Sequence, residues 1–391
     1  MTTLGPYICN IFKQAEPERS KNLRVLLDKA SLNESAILAI LQYVSIYCVG
    51  DAKGDTSLGD LVLNTLDKTV YKPFDGTVTL TFGDVAESHV GMQQIGTMAD
   101  RGFSLLDLQR SQIYFERLGV TTKIIHLNKF LPKDESIDDP FEKKFLKIAR
   151  EDPASQAYLL VVRNGIELLT KSPKGKNLLI EMLIYKWDSK LWNARKKVVQ
   201  NKLARHNLNF SDTRQEPDFS KGKGTTVAWG DVPILNSLRA KLIDAFGSSA
   251  KYLKCEGNLY YSRGKTGIGY HGDTERRKVI GVRLGHRMNI HYMWYYNDRP
   301  RGLNMSIMLE EGDIYCMSEK AVGTDWRPNK KAGFKKKSYV LRHAAGASKP
   351  YTRENSKMHL YNTHKYADDP EISVSNIEHR KKNKDWMKMP N

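Results

Sequence analysis

His271 and Asp273, separated by a single glycine, are the pair in this sequence best suited to chemistry. On an extended strand, residues i and i+2 project to the same side, so an imidazole and a carboxylate at this spacing can take neighbouring positions on one metal ion. Together they make two-thirds of the facial set of two histidines and one carboxylate that holds non-haem Fe(II) with positions left open. A lone His-x-Asp arises by chance; the surrounding stretch 256–285 gives this one its weight. Upstream, Asn258 and Tyr260 repeat the two-residue spacing, which puts both on one strand face. Downstream, Glu275 continues the side defined by Asp273, as a group that reads a substrate edge or as a surface carboxylate paired with Arg276 or Arg277.

Strands must position such residues, and the C-terminal half reads as strands. Segments 279–284, 289–296, 306–309, 313–317 and 339–342 are short, apolar and joined by turns without intervening helices. That pattern predicts an antiparallel jelly roll. A helix over 233–246, stopped by Gly247, precedes it. His286 and His291 read as ordinary strand residues. Earlier, the spacing predicts a helical hairpin over 19–50, a strand over 78–82, a helix over 103–118 and strands over 122–127 and 158–162. The stretch 132–153 reads as a charged surface connection. Asp84, Glu87 and His89 lie close together, but without a partner cluster they read as a turn followed by a helix rather than a metal site. The fold class expected is α+β: a mixed α/β domain over 1–170, a jelly-roll domain with flanking helices over 171–365, and a charged, loose tail over 366–391.

The chain has 391 residues and a formal charge of +18. That length suits two domains with cores of their own. The charge points to a polyanionic partner, nucleic acid being the leading one, against the plainer reading of solvated lysines. Trp187 and Trp192 interleave with Arg195, Lys196, Lys197, Lys202 and Arg205, which suits either a nucleic-acid groove or the wet face of an amphipathic helix. Cys9, Cys48, Cys255 and Cys316 are scattered with no Cys-x-x-Cys, as in reduced intracellular thiols. No membrane-length apolar run and no signal-peptide pattern occur, so a soluble intracellular protein is expected, in nucleus or cytoplasm.

The C-terminal part, from about 231 to 346, resembles the AlkB-like branch of the Fe(II)/2-oxoglutarate-dependent dioxygenases, whose catalytic fold is a double-stranded β-helix. Four blocks occur in that family's order: the helix after Val232-Pro233; Asn258-x-Tyr260 with a glycine turn at Gly264; His271-x-Asp273-x-Glu275 running into 279–285; and 312–318 followed by a basic approach to Arg342. The resemblance implies that His271 and Asp273 bind Fe(II) and carry the catalysis. It implies that Asn258 and Tyr260 contact the co-substrate 2-oxoglutarate, that Arg342 grips its distal carboxylate, and that Lys336 replaces a second arginine. It assigns Glu275 to the substrate base. The third metal ligand falls on Asp325 when 324–342 is aligned without gaps. The alternative is His343, adjacent to Arg342 and therefore on the opposite face of the strand, with Arg353 then binding the co-substrate. The function implied is oxidation or demethylation of modified bases in DNA or RNA, with the basic loop 327–337 against phosphate. Two other readings are open: a dioxygenase acting on a protein or small molecule, and an inactive oxygenase scaffold that binds nucleic acid, which the missing histidine motivates.

Overall fold

The computed structural model describes residues 74–183, 185–327, 338–346 and 357–380. The helical hairpin expected over 19–50, Cys9, Cys48, Lys336, Arg353 and most of the lysine-rich loop lie outside these residues. Residues 75–175 and 187–391 belong to one compact unit, and the helix Lys176–Leu183 belongs to another.

In chain order the large unit begins with β1 (Thr77–Gly83) and the short pair β2 (Val85–Glu87) and β3 (Gln94–Gly96). Helix α1 (Leu105–Arg117), β4 (Thr122–His126), α2 (Pro140–Glu151), β5 (Tyr158–Val162) and α3 (Gly165–Thr170) follow. After the hairpin β6 (Lys190–Asn193) and β7 (Val198–Asn201) come β8 (His206–Ser211), β9 (Thr226–Ala228) and helix α4 (Pro233–Phe246). Then the strands run on: β10 (Lys254–Tyr260), β11 (Ile268–His271), β12 (Val279–Gly285), β13 (Met288–Tyr296), β14 (Arg299–Leu309) and β15 (Ile314–Met317). A single turn of helix, α5 (Glu319–Val322), leads toward β16 (Tyr339–Gly346), β17 (Lys357–Tyr366) and β18 (Asp369–Arg380).

The helix ends follow local chemistry. Ser104 and Asp107 form a reciprocal capping box at the start of α1, and Asp139 caps α2 ahead of Pro140. Helix α4 begins at Pro233 and ends at Gly247, whose φ of 72° lies in the region open to glycine.

Two sheets dominate this α+β unit. One has eight strands in the order β4-β5-β15-β12-β1-β10-β8-β9, and the other six in the order β11-β16-β13-β14-β18-β17. Leu159, Val161, Val279, Tyr315 and Met317 of the first share a core with Tyr292, Trp294, Ile307, Tyr339 and Leu341 of the second. On β16, Tyr339 and Leu341 therefore face the neighbouring sheet, and His343 faces it with them, while Arg342 faces away.

Several expectations are corrected. The boundary at 170 does not separate two domains, because β1, β4 and β5 are members of the same sheet as β10, β12 and β15. Strand β1 pairs antiparallel with β10 on one side and β12 on the other. Its near-continuous burial is that of a central strand covered on both faces. The segment after Asp84 forms β2 and β3 instead of a helix, and 132–153 contains the capped helix α2. The basic stretch around Trp192 is the hairpin β6–β7 rather than an amphipathic helix. The tail is not loose as far as residue 380, since β18 pairs with β14 and β17. Among the described residues, no helix is long and apolar enough to cross a membrane.

Candidate metal centre

The site is assembled by strand pairing and one close turn. In the antiparallel ladder between β11 and β16, His271 is directly opposite His343, and their ring centroids are 4.4 Å apart. The chain turns at Gly272 and brings Asp273 back beneath them, its amide N–H donating to the Val322 carbonyl at 3.0 Å. Gly272 permits this: a Cβ there would stand 2.1 Å from the Gly323 carbonyl oxygen, a backbone atom that cannot swing aside. Asp273 Oδ1 lies 3.5 Å from His271 Nε2 and 3.7 Å from His343 Nε2. Among the described residues, one ligand atom from each of His271, Asp273 and His343 falls within 4.8 Å of the others. Two imidazoles and one carboxylate converging in this way are arranged to hold one metal ion.

The surroundings prepare these groups. His271 Nδ1 is 2.8 Å from the Gly269 carbonyl, so the proton belongs on Nδ1 and the Nε2 lone pair is free for a cation. Burial, and then the charge of His271, push the His343 pKa down to about 3, which keeps that ring neutral, as a metal ligand must be. Burial opposes ionisation of Asp273, yet Arg276, then His271 and His343, hold its pKa far below the ordinary carboxylate range. Arg276 is itself buried. Its guanidinium pairs with Glu256 at 2.6 Å and Glu275 at 2.9 Å, and lies 3.6 Å from Asp273 Oδ2, leaving Oδ1 to the imidazoles. A positive group behind the carboxylate thus orients it as a hydrogen-bonding partner orients a metal ligand.

The third position corrects the ungapped alignment. Asp325 is half exposed and ion-paired with Lys320 at 2.6 Å, whereas His343 stands beside the pair. The reason lies in strand parity: His343 shares the inward face with Leu341, and a cross-strand neighbour can supply a ligand that a linear alignment misses. The same parity turns Arg342 outward. It pairs with Asp298 and lies over the rings of Tyr295 and Trp326 at 4.1 and 5.0 Å.

Asn258 and Tyr260 are buried on one face of β10, as their spacing required. Asn258 Oδ1 accepts from Arg205 Nε and from Asn207 Nδ2 at 2.8 Å. Tyr260 lies within the electrostatic reach of Asp273, and burial raises its pKa. Glu275 is partly buried and pairs with Arg276 at 2.9 Å, the pairing expected as the alternative to a base contact, and burial raises its pKa. His291 Nδ1 is 2.5 Å from Ser306 Oγ on the outer face of β13, and His286 follows β12 beside Arg263, so neither joins the cluster. Asp84 accepts backbone N–H bonds from Ala99, Arg277 and Lys278 and thereby ties β1 to the loop after the metal pair. Cys255 and Cys316 are buried free thiols.

One residue of the site escaped sequence reasoning. Arg276 reads as one of two adjacent surface arginines, and nothing local marks it as buried. On β12, Arg283 is the single charged residue of an apolar strand.

No protein-family model matches the chain. Over 273 residues it is 41% identical to "Uncharacterized protein R156" of Acanthamoeba polyphaga mimivirus, an overlap spanning 70% of this chain and 96% of that protein. Identity of that order along nearly the whole of the viral protein requires a shared core and shared strand order, and the chain belongs to the family of this mimivirus protein.

Proposed function

We propose that the chain is an Fe(II)/2-oxoglutarate-dependent dioxygenase of the AlkB-like kind, built on a double-stranded β-helix and acting on modified bases in nucleic acid. The observation that carries the reading is the convergence of His271, Asp273 and His343. Two imidazoles and a carboxylate suit Fe(II), and a facial arrangement leaves positions for a keto acid and O₂. With that metal, 2-oxoglutarate and O₂ bound, the chemistry supplied is hydroxylation of a C–H bond, with succinate and CO₂ released; an N-methyl group so hydroxylated leaves as formaldehyde.

The chain's own residues do the rest. His271 and His343 fix the cation from two strands, and Arg276 holds Asp273 ionised. The buried aromatic rings of Tyr292 and Tyr315 exclude water from the space between the sheets. The nucleic-acid part of the proposal rests on charge. Besides the net +18, the exposed tip of the β6–β7 hairpin presents Arg195, Lys196 and Lys197, and the segment that follows it delivers Arg205 to Asn258. His343 beside His271 and Asp273 supports a metal-dependent enzyme over the inactive scaffold.

The test is anaerobic titration of the full chain with Fe(II) and 2-oxoglutarate, followed by admission of air and measurement of succinate. Wild type and Asp325→Ala should bind one metal and release succinate, while His271→Ala and His343→Ala should do neither. Turnover that survives His343→Ala but vanishes in Asp325→Ala would overturn the assignment. Mass spectrometry of methylated DNA and RNA oligonucleotides after reaction identifies the substrate, and unchanged masses with every base tested would remove nucleic acid from the proposal.

A further inference from the structure

Arg283 is 1% exposed, on a strand whose other residues are apolar or glycine. Its register partner on β1 is Thr79, which is opposite Asn258 of β10, so the three share one row on one face of the eight-stranded sheet. That face also carries Tyr260, and Tyr315 at the position opposite Gly281. A Cβ at Gly281 would meet the Tyr315 ring at 2.0 Å, so the glycine leaves room for this ring to lie across the strand. It is the face turned to the six-stranded sheet, where Tyr292 and His343 stand.

The guanidinium is strangely served for a buried cation. Nη1 donates to Thr79 Oγ1 and approaches Met288 Sδ at 3.7 Å; Nε has no hydrogen-bond partner. Among the described residues it forms no ion pair. Asp313, the carboxylate whose field reaches it, is spent elsewhere: Oδ2 accepts from Arg163 at 2.5 Å and from the Glu310 amide, and Oδ1 from the Asn164 amide. The contrast with Arg276, which has three carboxylates around it, is direct. An unpaired buried charge costs several kcal/mol. Tyr292 adds a second unmet group in the same space: its hydroxyl is buried without a partner, and its ring centroid is 6.0 Å from that of His343. Tyr315 links the two, lying within the electrostatic reach of both Arg283 and Tyr292.

The geometry points to Arg283 as the anchor for the distal carboxylate of a small dicarboxylic acid whose other end reaches the metal, with the Tyr292 hydroxyl donating to the bound acid. The anchor thus comes from β12, in the sheet opposite the histidine strands, and not from Arg342. This inference rests on the proposed metal-dependent reading and names the residue that selects its co-substrate.

The experiment uses the full chain with Mn(II), which binds without turning over, and measures binding of 2-oxoglutarate and of pyruvate by calorimetry. Pyruvate offers the same keto acid without the distal carboxylate. Wild type should prefer 2-oxoglutarate by at least about thirty-fold, the factor expected for a buried charged pair. Arg283→Met should abolish that preference while leaving Mn(II) affinity, read by electron paramagnetic resonance of free Mn(II), unchanged. Arg283→Lys should retain part of it, and Arg342→Met all of it. Should Arg283→Met fail to fold, the lysine variant and Tyr292→Phe, expected to weaken 2-oxoglutarate several-fold, decide the matter. Retention of the full preference in the Arg283 variants, or no preference in wild type, overturns the anchor. Loss of Mn(II) binding in wild type would instead overturn the metal centre.

Discussion

Replacing Arg276 with methionine should expose how the metal centre is held together. In the wild type, the guanidinium has Glu256, Glu275 and Asp273 at 2.6, 2.9 and 3.6 Å. At an effective dielectric of about 20, each such pair contributes roughly 4 kcal/mol of gross attraction, most of it offset by the cost of burying the charges. Methionine fills similar volume but leaves three buried carboxylates facing one another, so the net loss should be about 3–5 kcal/mol. Against a total stability of roughly 5–15 kcal/mol, that places the variant near its limit. The uncompensated carboxylates would have folded-state pKa values above their unfolded ones. A group of that kind adds stability below its unfolded pKa and loses it as pH rises through the folded pKa. The deficit relative to wild type should therefore be largest near neutral pH and shrink as pH falls toward the carboxylate range. Mn(II) should shrink it as well, because a cation between the imidazoles replaces part of the missing charge. Urea denaturation at a series of pH values, with and without Mn(II), reads all three effects. A deficit under about 1 kcal/mol, or one indifferent to both pH and metal, would refute the view that Arg276 neutralises this cluster.

Further outcomes follow from the same geometry. Glu87 accepts a hydrogen bond from the Gly91 amide, but burial, then the charge of Glu275, raises its pKa to about 7. Because the folded value is raised, its contribution is fully present below about 4.5 and is lost as pH climbs through about 7. Glu87→Gln should flatten stability over that window, recovering about 1–2 kcal/mol near pH 8 once partial solvation is allowed for; an unchanged slope in thermal melts would contradict this. Gly272→Ala forces a Cβ to within 2.1 Å of the Gly323 carbonyl oxygen, so the turn must open. Stability should fall by about 1–3 kcal/mol and Mn(II) affinity by more than about ten-fold; wild-type metal affinity in this variant would show that the close turn does not position Asp273.

Patterns carried by consecutive residues were legible without coordinates. The two-residue spacing put His271 beside Asp273 and Asn258 beside Tyr260; alternation marked β1, and short apolar runs bounded by turns marked β5, β12, β13 and β16. Proline and glycine bounded α4 at Pro233 and Gly247, because those residues act on their own backbone. The misreadings have a common origin in contacts between distant segments. A strand can pair with any edge its register fits, so β1 entered a sheet with partners far along the chain. His343 became the partner of His271 through a ladder that no alignment of 324–342 contains, and strand parity then put Arg342 on the opposite face of β16. Burial is likewise a property of the packed molecule: Arg276 reads as an ordinary surface cation, and only the surrounding strands bury it among three carboxylates, while Arg283, marked by its apolar strand, is left with its Nε unpartnered.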